Sequence, residues 1–243
     1  MADRYFVENP IEGPAACLRG AEAHHLAHVM RAKPGVEVTL FDGGGAEFSA
    51  RVERVGRSEI ELTIVTRHAI DRETRVPITL AVALPKGDRQ RSLVEKAVEL
   101  GVARFVPLQT ERGNDRESAA GLDRLRRAVI EASKQCGRNR LMTIDPPEKL
   151  ADFLAAPDGD APRLLAHPGA PSCRSVLERL MPSGATPERI TLMIGPEGGF
   201  TPAEVERAVA HRAHPVSLGP RILRVETAAL TLAAAVMVRD ERT

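Results

Sequence analysis

The 243-residue sequence contains no tryptophan, one tyrosine and six phenylalanines. A surface that holds single-stranded nucleic acid by stacking needs aromatic faces, and this chain has too few to build one. Cysteine is scarce too. Cys17, Cys136 and Cys173 are odd in number and share no metal-ligand spacing, which argues against a disulfide framework or a zinc site. They read as reduced thiols, with Cys136 a small buried residue. Charge of one sign is missing, because 34 basic and 33 acidic residues leave a net charge of +1. Nucleic-acid binders are often far more basic, so indiscriminate capture of RNA is not expected. No apolar run is long enough to cross a bilayer, and the opening MADRYFVENP lacks the apolar core of a signal peptide. A cytoplasmic protein without membrane contact is the expectation.

What is present is ordinary globular composition, 43% hydrophobic and 28% charged, arranged in two regimes. From Tyr5 to Thr66 the pattern is mostly strands. EVTLFDG and AEFSARVERV flank Gly43-Gly44-Gly45 as a hairpin, and EIELTIV adds a strand. AEAHHLAHVMR has helical spacing at Leu26, Val29 and Met30. So short a sheet must close or be covered, which suggests a small β-barrel-like domain. The polar stretch from Arg67 to Pro77 reads as a linker, giving domains 1–71 and 72–243. Beyond it apolar runs alternate with helical patterns. ITLAVALP leads to a helix capped by Asp88 and stopped at Gly101. RFVPL precedes LDRLRRAVIEASKQC, which ends at Gly137. RLLAHP, ITLMIG and PVSLG follow. Such alternation predicts an α/β domain with a mainly parallel sheet and helices on both faces.

Charge is uneven. Between Arg104 and Arg140 lie Arg104, Arg112, Arg116, Arg124, Arg126, Arg127, Lys134, Arg138 and Arg140, against five acids. A solvated helix face and an RNA-facing surface both fit this run. The triple His24, His25 and His28 has helical spacing but no evident fourth ligand, and we expect no metal.

The segment ITLMIGPEGGFTPAEVERA, from Ile190 to Ala208, carries the most chemistry. A buried strand ending at Ile194 runs into Gly195, Pro196, Glu197, Gly198 and Gly199. A helix follows with Thr201 as N-cap, Pro202 at its first position and Glu204 completing a capping box. Bare glycine backbone lets a ligand approach closely, and a side chain added at Gly198 is expected to enter that space. The turn lacks both the dinucleotide spacing and the P-loop lysine. Glu197 would repel a phosphate but suits hydroxyl donors or a cation. S-adenosyl-L-methionine, with ribose hydroxyls, a sulfonium and no phosphate, meets these conditions; a tight turn without a ligand is the other reading. A second loop repeats this grammar. PVSLGPRILRVETAALTLAAAVMV places Leu218, Gly219, Ile222 and Leu223 after a strand, with Arg221, Arg224 and Glu226 before an apolar helix starting near Thr227. The three charged residues suit either a site or an ion-pair network. The apolar helix suits burial in the core or against a second subunit.

IGPEGGFTPAE and SLGPRILRVETA closely resemble the motifs of the ribosomal RNA small subunit methyltransferase E family, of the knotted SPOUT class. Arg4 and Phe6, HLAHVMR ending at Arg31, FDGGG, Lys86-Gly87-Asp88 with EKAVELGV, and SKQCGR ending at Arg138 extend the resemblance over nearly the whole chain. It implies a PUA-like N-terminal domain and a parallel sheet with a C-terminal trefoil knot that forms the cofactor pocket. It also implies a homodimer and methylation of N3 of one uridine in 16S ribosomal RNA of the small subunit. His167 and Pro168 fall where the first cofactor loop belongs, though the match is weaker there. The expected cofactor-binding residues are His167, Ile194, Gly195, Glu197, Gly198, Gly199, Leu218, Gly219, Ile222, Leu223 and Thr227. Arg4, Arg31, Lys86 and Arg138, which lie in family-like motifs, are the expected RNA contacts.

Uridine N3 carries a proton at neutral pH. Once it leaves, negative charge spreads onto O2 and O4, where arginine donors would stabilise it. Arg221 and Arg224 are the candidates, and Glu226 would orient them or accept the proton. Three rivals remain: a non-catalytic RNA-binding protein, a nucleotide-dependent α/β enzyme, and a knotted methyltransferase acting on transfer RNA or another base.

Overall fold

A computed structural model of the chain describes residues 3–113, 118–157, 159–182 and 186–239; Arg116 of the basic run lies outside them. The chain forms two compact units. The first comprises Met1–Glu73 with Ile130–Leu141, and the second Thr74–Val129 with Met142–Thr243.

The first unit is a five-stranded sheet. Its strands are β1 (Arg4–Phe6), β2 (Ala15–Arg19), β3 (Glu37–Phe41), β4 (Glu47–Val55) and β5 (Glu59–His68), in the order β1-β3-β4-β5-β2. The hairpin around Gly43–Gly45 joins β3 to β4, with Leu40 opposite Phe48. β1 pairs parallel to β3, and the other pairings are antiparallel. The sequence pattern missed β2, whose only fully buried residue is Leu18. Among the described residues the ladder stays open, with β1 and β2 at its edges. The expected helix is short: α1 (Gly20–His24) relaxes into a π-helical turn, His25–Val29, and Arg31 takes a left-handed φ of 52°. That turn delivers Leu26 to a core of Tyr5, Leu18, Leu40, Phe48, Ile60 and Leu62.

The expected linker is not loose. The Asn139 amide donates to the Ile70 carbonyl, Arg72 pairs with Glu47, and Glu73 pairs with Arg138. Residues 70–73 are thereby tied to the first unit by partners more than 20 residues away in sequence, which local pattern does not reveal.

The second unit contains β6 (Ile78–Val82), α2 (Arg89–Glu99), β7 (Val102–Gln109), α3 (Ala119–Cys136), β8 (Thr143–Ile144), β9 (Glu148–Lys149) and α4 (Leu150–Ala155). It continues through β10 (Arg163–Ala166), α5 (Cys173–Leu180), β11 (Ile190–Ile194), α6 (Pro202–Ala210), β12 (Ala213–Val216) and α7 (Val225–Arg239). The last seven residues of α3 fall in the first unit. The sheet runs β12-β10-β11-β6-β7-β8, with β9 also on β7, and every pairing is parallel. The central strands are buried on both faces, as β11 is throughout, because helices cover both. Ala81, Leu165 and Met193 point towards Leu150, Phe153 and Phe200 on the side of α4 and α6. α7 packs with α2 and α5 and against β6 and β11.

Two local expectations need correction. Asp88 is already helical in φ and ψ, and its side chain caps nothing, so α2 starts without the expected cap. Cys136 is half-buried, not buried, at the last turn of α3. No helix among the described residues is long and apolar enough to cross a membrane.

Candidate active site

β12, β10 and β11 are neighbours in the parallel sheet, so the loops leaving their carboxyl ends converge. They enclose a cavity of about 340 Å³, within the size range of small-molecule sites. Ligands of open α/β sheets bind at this end of the strands.

The loop after β11 is tightly built. The Gly199 amide donates to the Pro196 carbonyl at 2.8 Å, and Gly199 has a φ of 67°. A Cβ on Gly195 would lie 3.0 Å from the Phe200 ring and 3.1 Å from the Phe200 amide nitrogen. Only glycine fits there without displacing backbone. A Cβ on Gly198 would instead meet the Arg112 side chain at 3.4 Å, an ordinary contact. The side chain expected to enter the ligand space from Gly198 therefore first meets Arg112. The capping box is present: Glu204 N–H donates to Thr201 Oγ1, and Thr201 N–H donates to Glu204 Oε2. Glu204 is only 3% exposed, and its other oxygen accepts from the Glu111 amide at 2.9 Å. One buried carboxylate thus ties the start of α6 to the loop after β7. That loop presents Arg112, whose Nη1 donates to the Gly198 carbonyl at 2.9 Å.

The loop after β12 is anchored only at its root. The Ser217 amide donates to Pro171, the Cys173 amide donates to Ser217, and Gly219 takes a φ of 117°. Beyond this the loop opens, and Ile222 is 80% exposed although it borders the cavity.

The cavity brings together His167, Ile194, Gly195, Glu197, Gly198, Gly199, Leu218, Gly219, Ile222 and Leu223, as well as Arg221. Thr227 is not among its lining residues and sits exposed on α7. Arg224 and Glu226 do not line it either. Arg224 is exposed where α7 begins, accepting the Ala228 amide through its backbone carbonyl. Glu226 pairs with Arg89 at 3.5 Å, and Arg89 also reaches Glu197 at 3.1 Å. The ion-pair network at the start of α7 is therefore made with α2, not among Arg221, Arg224 and Glu226. Among the described residues Glu226 Oε2 is buried without a hydrogen-bond partner and faces the Arg89 guanidinium. Sequence analysis did not mark Arg89 at all, and it gave no site role to Arg112 of the basic run, to Phe200 or to the capping residue Glu204. The one available signal was that Arg89 directly follows Lys86-Gly87-Asp88.

The four expected RNA contacts divide. Arg31 and Lys86 are exposed. Arg4 is not presented to a phosphate: it donates to Glu47 at 2.7 Å and to Asn139 Oδ1 at 2.8 Å, with its side chain 9% exposed. Arg138 is 4% exposed and pairs with Glu73. Both guanidinium groups serve the interior of the first unit, so assigning them to RNA contact is corrected. His24 and His28 bring their rings to 4.7 Å. No group of three or more potential metal ligands occurs among the described residues.

The family model described as an RNA methyltransferase domain matches residues 72–237, and that of an RNA methyltransferase PUA domain matches residues 18–65. A ribosomal RNA small subunit methyltransferase E from Mycobacterium tuberculosis is 31% identical over all of this chain and 94% of its own length. One from Synechocystis is 34% identical over 87% of this chain and 69% of its own. The chain belongs to the ribosomal RNA small subunit methyltransferase E family. Solved structures agree. The family member from Neisseria gonorrhoeae, bound to S-adenosyl methionine, superposes with a TM-score of 0.84 at 30% identity, covering 98% of each chain. A Legionella pneumophila protein solved with bound SAM reaches 0.86 at 32% identity, over 98% of this chain and 97% of that one. The fold is thus α/β with a parallel sheet and a PUA-like domain, as the family resemblance implied.

Proposed function

We propose that this chain transfers a methyl group from S-adenosyl-L-methionine to N3 of a uridine in 16S ribosomal RNA of the small subunit. The observation that carries this reading is the cavity at the ends of β10, β11 and β12, in a family with relatives solved with that cofactor. Its residues fit the group. Ile194, Leu218, Ile222 and Leu223 offer apolar contact for a base, glycine backbone allows close approach, and Glu197 sets a carboxylate beside a cation. When bound, the cofactor supplies a methyl group on a sulfonium, which leaves as a neutral thioether.

The chain's own work is to hold the uracil in line and to manage its proton and charge. Arg221, on the cavity wall, and Arg224, exposed where α7 begins, donate to the uracil oxygens as negative charge develops. Glu226, ion-paired with Arg89 at 3.5 Å, orients these arginines or accepts the N3 proton. The last strand and helix form a trefoil knot around the cofactor loops. In support, α7 leaves edge strand β12 yet packs on β6 and β11 further into the sheet. Residues 1–71 and 72–243 act as RNA-binding and catalytic domains of a cytoplasmic homodimer. α7 is its contact, because Val238 is 55% exposed on a helix of otherwise apolar character. A stable interface of this kind buries roughly 1,000 Å² or more. With net charge near zero and few aromatics, the protein acts on a structured, preassembled subunit in preference to free RNA.

Incubating the protein and S-adenosyl-L-methionine with small subunits from cells lacking the gene, then mapping modified nucleotides by mass spectrometry, tests this. A single 3-methyluridine is expected. A different base, or equal rates on naked RNA, overturns the corresponding part.

A further inference from the structure

The cavity wall carries an excess of positive charge that its own acids do not explain. Arg89 lies between Glu197 and Glu226 at 3.1 and 3.5 Å, so one cation faces two carboxylates. The remaining negative charge balances a sulfonium. Arg112 and Arg221 then line the same cavity, and neither pairs with a carboxylate among the described residues. Two guanidinium groups beside a cationic cofactor repel it unless an anion joins them. They also arrive from different sides. Arg221 follows β12, the edge strand, whereas Arg112 follows β7, beyond β10, β11 and β6 in the sheet. Arg112 uses Nη1 on the Gly198 carbonyl, which fixes the group while leaving further donors of its fork. Its loop is held by Glu204, buried and accepting two backbone amides. A buried carboxylate spent on placing an exposed arginine implies that the placement matters.

We infer that Arg112 is a further catalytic arginine, facing the target base from the side opposite Arg221 and Arg224, and that Glu204 is its positioning residue. The inference rests on the uridine N3 reading above. In uracil, N3 is flanked by two carbonyls, and loss of its proton to the base places negative charge on both O2 and O4. Donors from two sides match that anion, while Arg221 and Arg224, both from the loop after β12, approach from one side. Two other anions would suit Arg112: the carboxylate of the cofactor's methionine part and an RNA phosphate. They are the rival outcomes.

The test compares wild type, Arg112→Ala, Arg112→Lys and Glu204→Gln on small subunits under single-turnover conditions, with cofactor affinity by calorimetry. For Arg112→Ala we expect a roughly 10²–10³-fold loss of the methyl-transfer rate, the usual effect of removing one donor to a developing anion. Cofactor affinity should stay within about threefold of wild type. The rising limb of the pH–rate profile should move to higher pH, because the bound uracil loses its proton less readily without the cation. Arg112→Lys should recover part of the rate, and Glu204→Gln should show the same pH displacement to a smaller extent. Loss of cofactor affinity in proportion to rate would assign Arg112 to the cofactor carboxylate and overturn the inference. A raised KM for RNA with a flatter salt dependence and unchanged kcat would assign it to phosphate, with the same consequence. If wild type methylates a position other than uridine N3, the underlying reading fails; if it methylates N3 and Arg112→Ala is unaffected, only this inference does.

Discussion

Two sets of arginines, one in each unit, have different surroundings. In the first, Arg4, Arg72 and Arg138 are paired with Glu47 and Glu73, and Lys134 with Glu22, in contacts that fix the backbone. In the second, Arg112, Arg221 and Arg224 stand exposed at or near a cavity. One set thus holds a fold together, and the other stands at or near a cavity. Burial and partners separate the two roles, and membership of a motif does not.

The sharpest way to break this contrast is Arg138→Ala. Removing one member of a buried ion pair strands the other, so we expect a stability loss of about 3–5 kcal/mol, read as a lower urea midpoint. A variant of wild-type stability would mean that the first unit does not depend on its pairs. Arg224→Ala should do the reverse, leaving the urea midpoint unchanged while the rate of methyl transfer falls roughly 10²-fold or more at undiminished cofactor affinity. A parallel loss of stability would erase the distinction.

A smaller effect concerns pH. Burial works against the Glu47 carboxylate, but hydrogen bonds and charge from Arg72 and Arg4 outweigh it, and its pKa lies below the ordinary value. A carboxyl group whose folded pKa is depressed stabilises the fold above its unfolded pKa and loses that contribution as pH falls through the folded one. Glu47→Gln should therefore melt lower than wild type at neutral pH, and the two melting temperatures should converge in acid. A constant gap would show that shape, not charge, is what Glu47 supplies. The smallest effects are expected at the exposed cations Arg31 and Lys86. Neutralising either should leave stability unchanged and lower the log–log salt slope of RNA binding by about one unit if it meets a phosphate.

The sequence was most legible where structure is local. The Gly43–Gly45 hairpin, the Thr201 capping box and the stop at Gly101 depend on residues within a few positions, and each appears as expected. The two loops that line the cavity were legible because glycine and proline mark strand-to-helix turns. What stayed hidden was long-range pairing. Arg4 reaches Asn139 across 135 positions, and Arg112 reaches Gly198 across 86. Nothing in the spacing of either arginine says whether its charge will be spent inside the fold. Asp88 shows the opposite error: a capping residue type at the right place is not a cap when the backbone there is already helical.

The division of α3 bears on the order in which the protein can acquire its structure. The first unit includes Ile130–Leu141 as well as everything up to Glu73. Arg4, Glu22 and Ile70 find partners in Asn139 and Lys134, which leave the ribosome long after they do. Translation proceeds at roughly 5–20 residues per second, so the amino-terminal sheet waits several seconds without those partners. Segments made first are thus completed late, and a chain halted near residue 71 would lack the clasp that finishes its first unit.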